Sequence, residues 1–93
     1  MANQVNASHI LVQTKEEANE LFNQIKLGAD FERIAREKSQ CPSAKDGGSL
    51  GWFGRNQMVR EFEVACFNAN KGDIVGPIKT QFGFHIIKVN DMN

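Results

Sequence analysis

Residues 74–89, IVGPIKTQFGFHIIKV, decide the fold. Two runs rich in β-branched and aromatic side chains, 74–79 and 84–89, flank Thr80-Gln81-Phe82-Gly83, and a short glycine-bearing link between two such runs reads as a hairpin. Strict alternation places Gly83, His85, Ile87 and Val89 on one face of the second run, so a histidine looks out from one side of a sheet. Just upstream, Lys71-Gly72-Asp73 makes a turn, and residues 59–67 read as a helix with Phe62, Ala65 and Cys66 on one stripe. Residues 49–53 form a short strand followed by the turn Gly54-Arg55-Asn56. Within that strand Trp52 and Phe53 point to opposite faces, one of them toward the core.

The N-terminal half extends this pattern. Residues 6–12 read as a strand with Ala7, His9 and Leu11 on one face and Ser8, Ile10 and Val12 on the other, largely covered on both sides. A second histidine, His9, therefore lies inside or at the edge of a pocket. Thr14 and Glu17 have capping-box spacing, Ala18, Leu21, Phe22 and Ile25 form one apolar stripe, and Gly28 supplies a stop, which predicts a helix over 15–27. Asp30 caps a second helix with Phe31, Ile34 and Ala35 inward, fading at Ser39. CPSAKDGG at 41–48 has the composition of a loop with room for one helical turn. The order is β, three helical pieces, β, α, β, β. Helices gathered between strands, with a terminal hairpin, predict an α+β domain built on an antiparallel sheet.

Ninety-three residues hold one core, so the expectation is a single domain over 1–93. Eleven basic residues balance eleven acidic ones, leaving no broad positive field for nucleic acid or an anionic membrane. No apolar run reaches the roughly 18 residues that span a bilayer, and MANQVNASHI lacks the basic-then-apolar pattern of a secretory leader. Cys41 and Cys66 have no redox-pair spacing. The expectation is a soluble monomer in the reducing cytoplasm, with both cysteines as thiols.

ASHILV at 7–12, CPSAKDGGSLGWFGRNQMV at 41–59, EFEVACF at 61–67 and GPIKTQFGFHIIKV at 76–89 together resemble the parvulin family of peptidyl-prolyl cis/trans isomerases, in family order and spacing. The resemblance implies a four-stranded antiparallel sheet wrapped by about four helices, with an active site on one side near two paired histidines. It also implies rotation of X-Pro bonds in proline-containing polypeptides, in unfolded or flexible segments, as a folding helper. Leu50, Met58 and Phe62 would form the proline pocket with Phe82 extending its rim. His9 and His85 would hydrogen-bond, Thr80 would fix the remaining nitrogen, and the Cys41 thiol would tune the electrostatics at the substrate carbonyl.

Departures from the family pattern bear on detail. Asn56 stands where a glycine is usual, and asparagine tolerates positive φ. Glu61 replaces a proline at the helix entry. The connection after Val12 is only Gln13-Thr14-Lys15, and one lysine is a poor phosphate clamp. No cofactor is implied. Zinc on His9, Cys41, Cys66 and His85 lacks the short ligand pairs that make such evidence strong, and the glycines of DGGSLGWFG lack the following G-K-S/T of a phosphate loop. The competing functional class is a peptide-capturing chaperone module of the same fold that turns nothing over.

Overall fold

The computed structural model describes residues 3–93. Its elements are β1 (Gln4–Val12), α1 (Lys15–Lys26), α2 (Phe31–Lys38), a 3-10 turn (Pro42–Asp46), β2 (Ser49–Gly54), α3 (Arg60–Phe67), β3 (Ile74–Thr80) and β4 (Gly83–Met92). The helices start where the sequence places caps. Thr14 Oγ1 accepts from the Glu17 N–H at 3.2 Å, and Asp30 Oδ1 from the Glu32 N–H at 3.2 Å. No helix among the described residues is long and apolar enough to cross a membrane.

The strands form one antiparallel sheet in the order β2-β1-β4-β3. The two central strands are covered on both faces, so β1 and β4 place buried apolar residues on each side of the sheet. On one face Ile10, Val12 and Ile86 pack against Leu21 and Ile25 of α1 and Phe31, Ile34 and Ala35 of α2. On the other, Val5, Ala7, Ile87 and Val89 pack with Phe53 and with Phe62 and Cys66 of α3. Trp52 is 45% exposed and Phe53 4%, as their opposite directions require.

Two features differ from simple alternation. In β2 the partners of Ala7 and Ser8 are Gly51 and Ser49, so Leu50 has no residue opposite it. This bulge, with Gly51 at φ 71°, lets Leu50 pack into the same cluster as Phe53, although alternation would send the two to opposite faces. The second difference is length. β4 continues beyond Val89 because Asp91 and Met92 pair with Asn6 and Val5 of β1, a long-range partner that local propensity does not reveal. Asn56 takes φ 69°, the conformation its side chain was expected to tolerate.

Candidate active site

The site lies on the α3 face of the sheet. His9 pairs across the ladder with Ile87, and His85 with Leu11, so the two histidines are diagonal neighbours on one face. Their Nδ1 atoms are 2.9 Å apart, a hydrogen bond in which one ring donates and the other accepts. Thr80 Oγ1 lies 2.7 Å from His85 Nε2 and also accepts from the Phe82 N–H at 3.1 Å. Both rings meet the Phe62 ring edge to face, with centroids 5.4 Å and 5.3 Å away. Protonating both imidazoles at once would set N–H against N–H inside this cage.

Above the histidines opens a cleft of about 490 Å³ lined by His9, Leu11, Gln40, Cys41, Pro42, Leu50, Gln57, Met58, Val59, Phe62, Phe82 and His85. Of the site residues that the resemblance implies, all line the cleft except Thr80, which stands behind His85. Phe62 forms the floor at 1% exposure, and Phe82 stands at the rim with 54% exposed. Cys41 is held at one wall by Ser39, whose Oγ accepts from the Leu11 N–H at 3.0 Å and from the Cys41 N–H at 3.4 Å. Gln40, Pro42, Gln57 and Val59 were not singled out in the sequence. They border Cys41 and Met58 in the chain, and adjacency was their only signal.

The cationic side chains point elsewhere. Arg55 stacks over Phe67 at 4.3 Å and lies 3.7 Å from Glu63, while Lys15 lines a different cleft with Pro77, Lys79 and Phe84. Cys66 is in the core, where burial pushes its thiol up to about 12 and leaves it inert. Among the described residues no three of His, Cys, Asp and Glu come together to hold a metal ion. The arrangement offers an apolar slot for a small ring, two imidazoles at its base and a thiol at its side.

A family model for the PpiC-type PPIase domain, the rotamase family, matches residues 6–91. The chain belongs to the parvulin family. The foldase protein PrsA of Geobacillus kaustophilus is 48% identical over 88 residues, which make up 94% of this chain and 31% of that protein. This parvulin domain thus spans about a third of the length of the curated relatives it matches. The crystal structure of the peptidylprolyl isomerase PrsA from Bacillus anthracis superposes with a TM-score of 0.96 at 38% identity, covering 99% of this chain and 43% of that one. A small relative is similar along its whole length. The solution structure of the parvulin of Nitrosopumilus maritimus matches with a TM-score of 0.85 and 41% identity, over 96% of this chain and 97% of that one.

The histidine pair gives the parvulin domain a defined response to acid. Burial, and then the neighbouring His85 ring, push His9 down to about 4, and burial lowers His85 as well. The folded pKa lies below the unfolded value near 6.5, so between about pH 4 and 6.5 the unfolded chain binds more protons. Stability is therefore lost as pH falls through that window, by on the order of 3 kcal/mol from His9 alone. With only two histidines in the chain, ring ¹⁵N shifts report them directly. The His9 ring should still be neutral at pH 5.5, and a His9 titrating near 6.5 in the folded domain would contradict the assignment.

Proposed function

We propose that this domain catalyses non-covalent rotation about X-Pro bonds in exposed or unfolded polypeptide segments, preferring an apolar residue before the proline. The observation that carries the reading is the convergence of Leu50, Met58 and Phe62 on one apolar slot directly above the His9–His85 pair. The uncatalysed rotation crosses a barrier of about 18–20 kcal/mol because amide resonance must be broken. No bond has to be made or cut. Seating the pyrrolidine ring among Leu50, Met58 and Phe62 holds one side of the amide, and removing the carbonyl from water favours the less polar twisted form. A ten-thousandfold acceleration needs only about 5.5 kcal/mol of such differential stabilisation.

In this reading His9 and His85 are neutral and form the base of the slot, Thr80 orients His85, and the Cys41 thiol faces the substrate carbonyl. The presence of both histidines, Thr80, Cys41, Met58 and Phe62 favours an enzyme over a module that only captures peptides. Because Cys41 acts through its field and not as a nucleophile, Cys41→Ser and Cys41→Asp should keep activity to within about tenfold. Mass spectrometry that traps an acyl-thioester on Cys41 would refute that role. Proline-containing segments are the partners, a monomer is the working form, and two separate thiols suit a reducing compartment.

Preference for the preceding residue follows from what surrounds the slot. Phe82 offers apolar surface at the rim, and no Lys or Arg is among the cleft-lining residues. A phosphoserine before proline carries nearly two charges and requires several fixed donors, whereas enclosing a leucine contributes roughly 1.5–3 kcal/mol at full burial. The test is a protease-coupled assay on matched peptides with Leu, Glu or phosphoserine before proline, at one ionic strength. kcat/KM should rank them in that order, with Leu at least about fivefold above phosphoserine. A phosphoserine peptide equal to or better than the Leu peptide contradicts the preference.

A further inference from the structure

Phe82 lines the cleft yet is 54% exposed, so packing does not settle where its ring points. Its backbone does. Phe82 is the second residue of the two-residue link between Thr80 and Gly83, which pair at the hairpin end. Both of its polar backbone groups are held: its N–H donates to Thr80 Oγ1 at 3.1 Å, and its C=O accepts from Gln13 Nε2 at 3.0 Å. The Thr80 contact belongs to the histidine network. The Gln13 contact comes from the first residue after β1.

Local structure explains the reach. The β1–β4 ladder pairs Val12 with Phe84, so Gln13 leaves the sheet directly beside the hairpin end. Its amide then crosses Gly83, where a Cβ would come within 3.0 Å of Gln13 Nε2 and 2.6 Å of the Val12 carbonyl oxygen. A side chain at 83 would fill the space the amide uses.

We propose that Gln13 is a positioning residue for substrate selectivity, holding the Phe82 carbonyl so that the Phe82 ring faces the subsite of the residue before proline. The assignment rests on the isomerase reading above. Gln13 does not touch the substrate. It fixes the backbone that carries the ring, and a rim whose backbone shifts encloses a large apolar side chain less well than a fixed one.

The experiment is a double-mutant cycle read as the ratio of kcat/KM for Leu-Pro over Ala-Pro peptides, in the full 93-residue chain. Gln13→Met keeps length and loses the donor, Gln13→Glu sets a carboxylate against the carbonyl, and Gln13→Lys keeps a donor of similar reach. The Met and Glu variants should lower the ratio by about 2- to 10-fold, chiefly through a higher KM for the Leu peptide, and the Lys variant should stay within about twofold of wild type. In a Phe82→Ala background Gln13→Met should not lower the ratio further. An unchanged ratio in the Met and Glu variants, or an equal fall in the Phe82→Ala background, overturns the role of Gln13 while leaving the isomerase reading intact. A wild-type chain that turns over neither peptide brings down both.

Discussion

Phe62→Ala is expected to lower kcat/KM for a Leu-Pro peptide by about 10- to 100-fold and to destabilise the domain by about 3–5 kcal/mol. Phe62 is almost fully buried, meets both histidine rings edge to face and lies 6.0 Å from the Phe53 ring centroid. Truncation removes the slot's floor and leaves a cavity that these rigid neighbours cannot close, on top of the lost aromatic contacts. A domain of this size has only about 5–15 kcal/mol to lose, so part of the population unfolds on warming. Phe62→Leu keeps more of the volume and separates the two effects. It should fold firmly and still lose activity, because a branched chain fills the floor without presenting a flat ring to the pyrrolidine. Circular dichroism melts and the isomerase assay on the same samples check this. A folded Phe62→Ala variant as fast as wild type contradicts the pocket.

The other large effect is at Gly48, behind the site. Its φ is +88°, and a Cβ there would stand 2.4 Å from the His9 carbonyl oxygen and 3.2 Å from the Ala35 Cβ. The same residue also holds the His9 backbone, since Gly48 O accepts from the His9 N–H at 2.9 Å. Gly48→Ala therefore adds left-handed strain of about 1–2 kcal/mol to overpacking of about 1–3 kcal/mol, and Tm should fall by about 12 °C or more. Gly51→Ala is the control. Its φ is also positive, at +71°, but a Cβ would meet nothing within 4 Å, so only the strain remains. A Gly48→Ala melt no lower than that of Gly51→Ala would mean that β1 does not approach the active-site loop as closely as the structure has it.

The contrast between these glycines shows where sequence reasoning stops. Gly48 ends the run read as a loop and Gly51 lies in the short strand read at 49–53, and nothing local tells which of the two glycines has no room for a Cβ. What was legible came from periodicity and caps: the α1 and α2 stripes, Thr14, Asp30, the hairpin at 80–83, and His85 sharing a face with Ile87 and Val89. Those signals are local and carry their own physical cause. The β2 bulge that turns Leu50 inward and the pairing that extends β4 to Met92 depend on which strand lies alongside, which alternation cannot supply. The same holds for the site. His9 and His85 are 76 positions apart in the chain, and their union follows only from β1 lying beside β4, a neighbourhood first suggested by resemblance. The bond from Gln13 to Phe82 had no sequence signal at all, because a glutamine after a strand is ordinarily solvated.

The most direct measurement is NMR exchange spectroscopy on a Leu-Pro peptide, whose cis and trans forms give separate signals and interconvert unaided over tens to hundreds of seconds. Catalytic amounts of the domain should produce cis–trans exchange cross-peaks, with the rate raised to about 1 s⁻¹ or more and no covalent adduct formed. Peptide signals that shift on binding while the two forms still fail to exchange would contradict the isomerase account and leave a domain that captures proline segments without turning them.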